Sequence, residues 1–231
     1  LTARALGVEL LIHYGHSCLV PVDQMNGIKV LYIFVDIKID PLHFVETIKL
    51  NFDVSIKIAL VSTIQFVTTL QIAATKLKDM GYNVSIPQIR PLSPGEILGC
   101  TAPVIKCADV LVYLGDGQFH LEAAMIANPR IKAYKYDPYC KKFTKEYYEH
   151  EEMEKSRLRA IENASNIGTF GVIMGSLGRQ GNPKVVEHLR KRLEETKRNA
   201  VVILLSEIFP VKLDLFTNVG AFIQIACPRL S

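Results

Sequence analysis

Cys107-Ala-Asp-Val-Leu-Val-Tyr-Leu-Gly115 is a short, almost unbroken apolar run closed by glycine. A run of this kind, bounded by turn residues, predicts a strand. Two other stretches superimpose on it: Gly7-Val-Glu-Leu-Leu-Ile-His-Tyr-Gly15 and Val219-Gly-Ala-Phe-Ile-Gln-Ile-Ala-Cys227. After the first and second comes a strand that opens Ile-Lys (Ile28-Lys-Val-Leu-Tyr32 and Ile131-Lys-Ala-Tyr134). Before the second and third comes a strand–helix–strand unit, over 58–89 and 171–208. The chain therefore reads as three copies of one small α/β unit, the first cut at its start and the last at its end. A period of roughly 80 to 100 residues is too long for a solenoid, so three separate compact units are expected.

Working outward, residues 1–9 read as the tail of a helix ending near Gly7, so the parent chain is expected to extend upstream of Leu1. Residues 9–14 read as a buried strand and 29–39 as a second strand, dense in Val, Ile, Tyr and Phe. Asp40 caps a helix over 41–50 with Pro41 in its first turn. A strand over 57–62, an amphipathic helix over 66–79 and a strand over 83–88 follow, the helix placing Phe66, Leu70, Ala73 and Leu77 on one face. After the strand closed by Gly115-Asp-Gly117 come a helix over 120–127 and a strand over 130–136. A charged helix is expected over 144–165, with Thr144 as cap and a solvated Glu/Lys face. A strand over 171–177 leads into Gly178-Arg-Gln-Gly181, then a helix over 183–198 capped by Asn182. Strands over 200–205 and 221–226 close the chain. Strands alternating with helices make this an α/β protein with parallel sheets. The domains are expected at 1–42, 43–143 and 144–231.

The 231 residues are 49% hydrophobic, enough for a sizeable core and too apolar for general disorder. The 27 basic against 23 acidic residues leave a net charge of only +4, with no basic stripe interleaved with aromatics, so nucleic acid is not the expected partner. No apolar run reaches the ~18 residues of a membrane span. Five irregularly spaced cysteines do not form a disulfide framework and fit a reducing, cytoplasmic setting.

Two cysteines stand out. In Pro91-Leu-Ser-Pro-Gly-Glu-Ile-Leu-Gly-Cys100-Thr-Ala-Pro103 the prolines and Gly95 force a turn, and a short apolar segment then delivers Gly99-Cys100. A cysteine so presented is either a buried small apolar residue or a ligand. The second is Cys227, in Ile225-Ala-Cys-Pro-Arg-Leu230. Cys18 reads as core or cleft packing, Cys107 as core at the start of a strand, Cys140 as incidental, and His13 as a satisfied core histidine within its strand. Turns at the carboxyl ends of strands are the usual ligand positions in open α/β sheets. By that criterion Gln65, Gly115, Asp116, Gly117, His120 and the turn Gly178, Arg179, Gln180, Gly181 are candidate binding residues. Each of these is otherwise a turn-forming or helix-capping residue.

Longer runs carry a family resemblance. Tyr14-Gly-His-Ser-Cys-Leu-Val-Pro-Val-Asp23, Tyr32-Ile-Phe-Val-Asp-Ile-Lys-Ile-Asp40, Pro91 to Thr101, Tyr113-Leu-Gly-Asp-Gly-Gln-Phe-His-Leu-Glu-Ala-Ala124, Gly178-Arg-Gln-Gly181, Leu205-Ser-Glu-Ile-Phe-Pro210 and Ala226-Cys-Pro-Arg-Leu-Ser231 resemble the diphthamide synthase family, in its eukaryotic catalytic-subunit branch. The resemblance covers the whole chain. It implies transfer of the 3-amino-3-carboxypropyl group of S-adenosylmethionine (SAM) to a histidine of elongation factor 2, the first step of diphthamide synthesis. It also implies three α/β domains in pseudo-threefold arrangement around a [4Fe–4S] cluster, each giving one cysteine ligand. Cys100 and Cys227 match the second and third ligands, and the first falls just upstream of Leu1. Three thiolates leave one iron open, the logic that also keeps a position open at a catalytic zinc. The implied partners are a related second subunit, elongation factor 2 and a small iron protein as electron donor. The expected SAM contacts are the strand-end residues named above, with Arg179 suited to pair with a carboxylate. Two other readings are a non-catalytic scaffold subunit and a nucleotide-binding α/β transferase with closed-shell SAM chemistry.

Overall fold

The computed structural model describes residues 2–15, 27–176 and 180–227. Among them are three sheets in two compact units. One unit holds the described residues of Leu1–Ser17 and Gly27–His150, the other those of Glu151–Ser231.

In the first unit, a short helix α1 (Thr2–Ala5) precedes β1 (Leu10–Gly15), which pairs in parallel with β2 (Lys29–Phe34). The helix α2 (Pro41–Asn51) starts where the Asp-Pro signal predicts, with the Asp40 carboxylate accepting from the Leu42 N–H at 2.9 Å. Then come β3 (Lys57–Ser62), a 3₁₀ turn (Ile64–Phe66), α3 (Val67–Asp79), β4 (Asn83–Ser85), β5 (Val110–Leu114), α4 (Phe119–Ala127), β6 (Lys132–Asp137) and β7 (Lys142–Glu146). The sheet order is β4-β3-β5-β6-β7. Its two faces follow from alternation along the central strands. Ile58, Leu60, Val110 and Val112 pack with Phe44, Val45 and Ile48 of α2 and Leu70, Ala73 and Leu77 of α3. Ala59, Val61, Leu111 and Tyr113 pack with Leu121, Ala124 and Met125 of α4. Helices thus cover both faces, which is why β3 and β5 read as unbroken apolar runs.

The second unit contains α5 (His150–Ala164, beginning at the last residue of the first unit), β8 (Thr169–Gly175), α6 (Pro183–Glu195), β9 (Asn199–Leu205), α7 (Pro210–Leu213) and β10 (Ala221–Ile225). Its sheet order is β10-β8-β9, all parallel. Asn182 caps α6, its side chain accepting from the Lys184 N–H at 2.9 Å.

The repeat is visible as topology. β1, β5 and β10 are the three superimposable stretches, one in each sheet. β3 lies between β4 and β5 as β8 lies between β9 and β10, and β2 and β6 flank β1 and β5 alike.

Four expectations need correction. The helix expected from Thr144 begins at His150 instead, because Lys142–Glu146 form an antiparallel strand on β6. The Asp137 carboxylate accepts from the Tyr139 and Cys140 N–H groups, Lys141 takes φ 53°, and Phe143 stacks on Tyr134 at 5.4 Å between ring centroids. That turn and the aromatic pair outweigh the helical charge pattern, and they make the sheet mixed rather than purely parallel. Second, β1 is exposed rather than buried: it lies in a two-stranded sheet, and each of its residues but Gly15 is exposed. Third, His13 is accordingly exposed and packs edge-on to Tyr32, so it is not a core histidine. Fourth, Cys107 is exposed in the loop before β5. The strand is anchored two residues later, where the Asp109 carboxylate accepts from the Lys57 N–H at 2.9 Å.

Candidate functional site

The carboxyl edge of the five-stranded sheet gathers most of the candidate residues of the first unit. β3 ends at Ser62, in register with Leu114 of β5, so the residues following each strand emerge side by side. After β3 comes Gln65, half-buried in the 3₁₀ turn, with its carbonyl accepting from the Ile37 N–H at 2.9 Å. Gly15, at the end of β1, joins Val35, Ile37 and Gln65 in lining a mostly apolar cavity of about 150 Å³. It sits past the carboxyl ends of β1, β2 and β3, where parallel sheets bind ligands.

After β5 comes the turn Gly115-Asp116-Gly117. The buried Tyr113 hydroxyl donates to the Asp116 carbonyl at 3.1 Å, and a Cβ on Gly115 would lie 2.5 Å from that hydroxyl. Only glycine lets the ring fold back under its own turn. Burial pushes the Tyr113 hydroxyl well above the ordinary tyrosine range, and the negative charge of Asp116 adds to the shift. Gly117 takes φ +68°, Asp116 is exposed, and half-buried His120 sits in the first turn of α4 with its ring 5.7 Å from that of Phe119.

The cysteine loop reaches the same edge. The Ser62 N–H donates to the Gly95 carbonyl at 2.8 Å and the Ile97 N–H to the Ser62 carbonyl at 2.9 Å, adding Glu96 alongside β3 as a one-residue parallel bridge. Glu96 is 2% exposed; one carboxylate oxygen accepts from the Ser93 N–H at 2.9 Å, and the other is buried with no hydrogen-bond partner among the described residues, as is Ser62 Oγ. The chain then closes a two-residue hairpin. Leu98 and Thr101 exchange both backbone hydrogen bonds, at 2.9 and 3.1 Å, leaving Gly99 and Cys100 at the tip. Cys100 is exposed, its Sγ 3.5 Å from the Thr101 hydroxyl. Of the two readings open to it, the buried apolar one is excluded.

Sequence reasoning missed the residues that support this tip. A Cβ on Gly99 would lie 1.7 Å from Cε1 of Phe119, so the ring lies flush against the glycine backbone. At the other end of α4, buried Asn128 donates to the carbonyls of Pro103 and Ala124, each at 2.9 Å, and accepts from the Ile105 N–H at 2.7 Å. Asn-Pro after an apolar helix is a recognisable stop signal, but nothing local says which loop it will bind.

The remaining candidates lie in the second unit. Gly178 and Arg179 fall outside the described residues. Gln180 and Gly181 are half-buried after β8, and a Cβ on Gly181 would meet the Gly175 carbonyl at 2.0 Å. Cys227 follows β10 and is half-buried. Cys18 also lies outside the described residues, and Cys140 is exposed in the β6–β7 turn.

A family model described as "Putative diphthamide synthesis protein" matches residues 1–231. The chain belongs to this diphthamide synthesis family. It is 59% identical over 231 residues to the 2-(3-amino-3-carboxypropyl)histidine synthase subunit 1 of Nematostella vectensis, covering all of this chain and 49% of that protein. Against the human subunit 1 it is 54% identical over 232 residues, covering all of this chain and 53% of that protein. The chain spans about half the length of the curated relatives it matches. Among solved structures it resembles Dph2 from Pyrococcus horikoshii with a 4Fe-4S cluster. The TM-score is 0.76 at 28% identity, over 99% of this chain and 67% of that one.

The donor set fits part of such a cluster. Cys227 follows β10, and Cys100 is carried by its hairpin to the carboxyl edge of the five-stranded sheet; their thiols are half-buried and exposed and not used in a disulfide. Among the described residues no three His, Cys, Asp or Glu side chains group to hold a metal ion, so the set is incomplete there.

Proposed function

We propose that this chain is part of the catalytic subunit of a diphthamide synthase. In that reading it transfers the 3-amino-3-carboxypropyl group of SAM to a histidine of elongation factor 2 by an unconventional radical SAM reaction. Membership of the family and the exposed thiol of Cys100 on its braced turn carry the proposal together. Cys100 and Cys227 are two of three cysteine ligands of a [4Fe–4S] cluster. When bound, the cluster supplies the electron that cleaves a carbon–sulfur bond of SAM.

The chain's own residues hold and orient. Gln65, Gly115, Asp116, Gly117 and His120 contact SAM at the carboxyl edge of the five-stranded sheet, with Gly178, Arg179, Gln180 and Gly181 from the second unit. Asp116 is an exposed acceptor for an ammonium or ribose hydroxyl, and the apolar cavity beside Gln65 keeps water from part of the donor. The three sheets belong to three domains, 1–42, 43–143 and 144–231, in pseudo-threefold arrangement. The partners are a related second subunit, elongation factor 2 and a small iron protein as electron donor, in the cytoplasm. No helix among the described residues is long and apolar enough to cross a membrane.

Anaerobic reconstitution of the full-length chain with its second subunit tests this. A brown protein whose visible absorbance bleaches with dithionite is expected, and Cys100→Ala or Cys227→Ala should abolish the colour. A cluster retained by both variants would overturn the ligand assignment. Full activity in air with iron chelated would favour closed-shell chemistry.

A further inference from the structure

Helix α4 braces the cysteine turn from both of its ends. Its first residue, Phe119, lies against the Gly99 backbone so closely that a single added methyl would overlap Cε1, Cδ1 and Cζ, at 1.7, 2.3 and 2.5 Å. Its C-cap, Asn128, binds the chain leaving the turn at Pro103 and Ile105. The same helix begins directly after Gly115-Asp116-Gly117-Gln118, so the backbone that presents the candidate SAM contacts runs straight into the ring that supports Cys100. Tyr113 holds that turn from below through the Asp116 carbonyl. A shift of the turn therefore moves Phe119, and Phe119 has no slack against Gly99.

We propose that Phe119 is a positioning residue: its ring sets the orientation of the Cys100 turn and transmits occupancy of the Gly115–Gly117 turn to the cysteine ligand. This rests on the reading of Cys100 as a cluster ligand and of Gly115–Gly117 as a SAM contact. Nothing in the sequence repeat marks Phe119. It is half-buried, so replacing it does not open the main core.

The test is a size swap in the full-length chain with its second subunit, reconstituted anaerobically. Iron and sulfide per chain, and the electron paramagnetic resonance spectrum of the reduced protein with and without SAM, are measured. Wild type should show a cluster whose spectrum shifts on adding SAM. Absence of a cluster or of the shift in wild type defeats the functional reading itself, whatever the variants do. Given both, Gly99→Ala should lower iron content at least threefold by displacing the ring. Phe119→Ala should keep most of the iron and lose most of the SAM-dependent shift. The double variant should recover more than half of the iron that Gly99→Ala loses, because the added methyl then occupies the vacated space. The proposal is overturned if Gly99→Ala keeps wild-type iron, if Phe119→Ala keeps the full spectral shift, or if the double variant is no better than Gly99→Ala alone.

Discussion

Replacing Asn128 by alanine should loosen the cysteine turn without touching it. The amide makes three hydrogen bonds from a site 5% exposed. Two of its partners are acceptors: the carbonyl of Pro103, a buried residue, and that of Ala124, which lies in the last turn of α4. Leaving the Pro103 carbonyl unpaired costs about 1–3 kcal/mol, and each bond from the other two groups, which water reaches more easily, is worth about 0.5–1.5 kcal/mol. The sum centres near ~4 kcal/mol, or roughly a thousandfold in a local opening equilibrium. Hydrogen–deuterium exchange reads this directly. The Ile105 amide loses its acceptor and should exchange roughly a thousandfold faster; the Leu98 and Thr101 amides, which close the turn, should speed up about tenfold as the departing chain is released. Asn128→Asp should be at least as damaging: it keeps the bond from Ile105 but turns a carboxylate toward two carbonyls. Unchanged protection at Leu98 and Thr101 in the alanine variant would refute the idea that α4 braces the turn.

Further outcomes follow from other contacts. The raised Tyr113 hydroxyl stabilises the fold fully below its ordinary value of 10.0 and loses that contribution as pH climbs above it, so melting temperature should fall above pH 10.0, and less steeply in Tyr113→Phe. Gly115→Ala places a methyl against the Tyr113 hydroxyl and should weaken SAM binding at least tenfold by calorimetry (about 1.4 kcal/mol), whereas Asp116→Ala, at an exposed position, should weaken it with no change in melting temperature. Phe143→Ala removes the ring stacked on Tyr134 and should cost about 2 kcal/mol in urea unfolding, roughly half the figure for a fully buried phenylalanine.

What could be read in advance divides along physical lines. Asp40-Pro41 and Asn182-Pro183 start helices because capping and the fixed proline φ act within one turn of chain, and both behave as expected. The apolar runs of β3 and β5 betray a sheet covered on both faces. The hairpin at 137–142 was legible too, in Asp137-Pro138, but the long Glu/Lys pattern beyond it suggested a helix that starts too early. The exposure of β1 was not legible, since an apolar strand has the same composition whether or not neighbours cover it. At the site, glycine next to Cys100 signalled a close approach, and the ring of Phe119 makes that approach from twenty residues away. Its partner across the turn is fixed by tertiary packing and has no local signature.

The repeat gives the proposed ligand arrangement a physical basis. β5 and β10 end near Gly115 and Cys227, equivalent places in one pattern of connections. Yet Cys100 does not come from that place in its own copy. It is brought to the sheet's carboxyl edge by a separate loop, through the bridge of Glu96 to Ser62 and the two supports from α4. A thiolate on a bare loop would sample many orientations, and ordering it upon binding iron would cost conformational entropy at each of several backbone positions. Here that cost is met during folding, by one bridge, one hairpin turn, one aromatic ring and one buried amide. The buried Glu96 carboxyl fits the same economy: its second oxygen has no hydrogen-bond partner among the described residues, a local expense of polar burial that persists only because the surrounding packing holds the loop in place. Glu96→Gln keeps an oxygen to accept from Ser93 and puts a neutral amide in place of the buried carboxyl, so this variant should be at least as stable as wild type in thermal unfolding. A clear loss of stability would mean that the unpaired oxygen has a partner the protein needs.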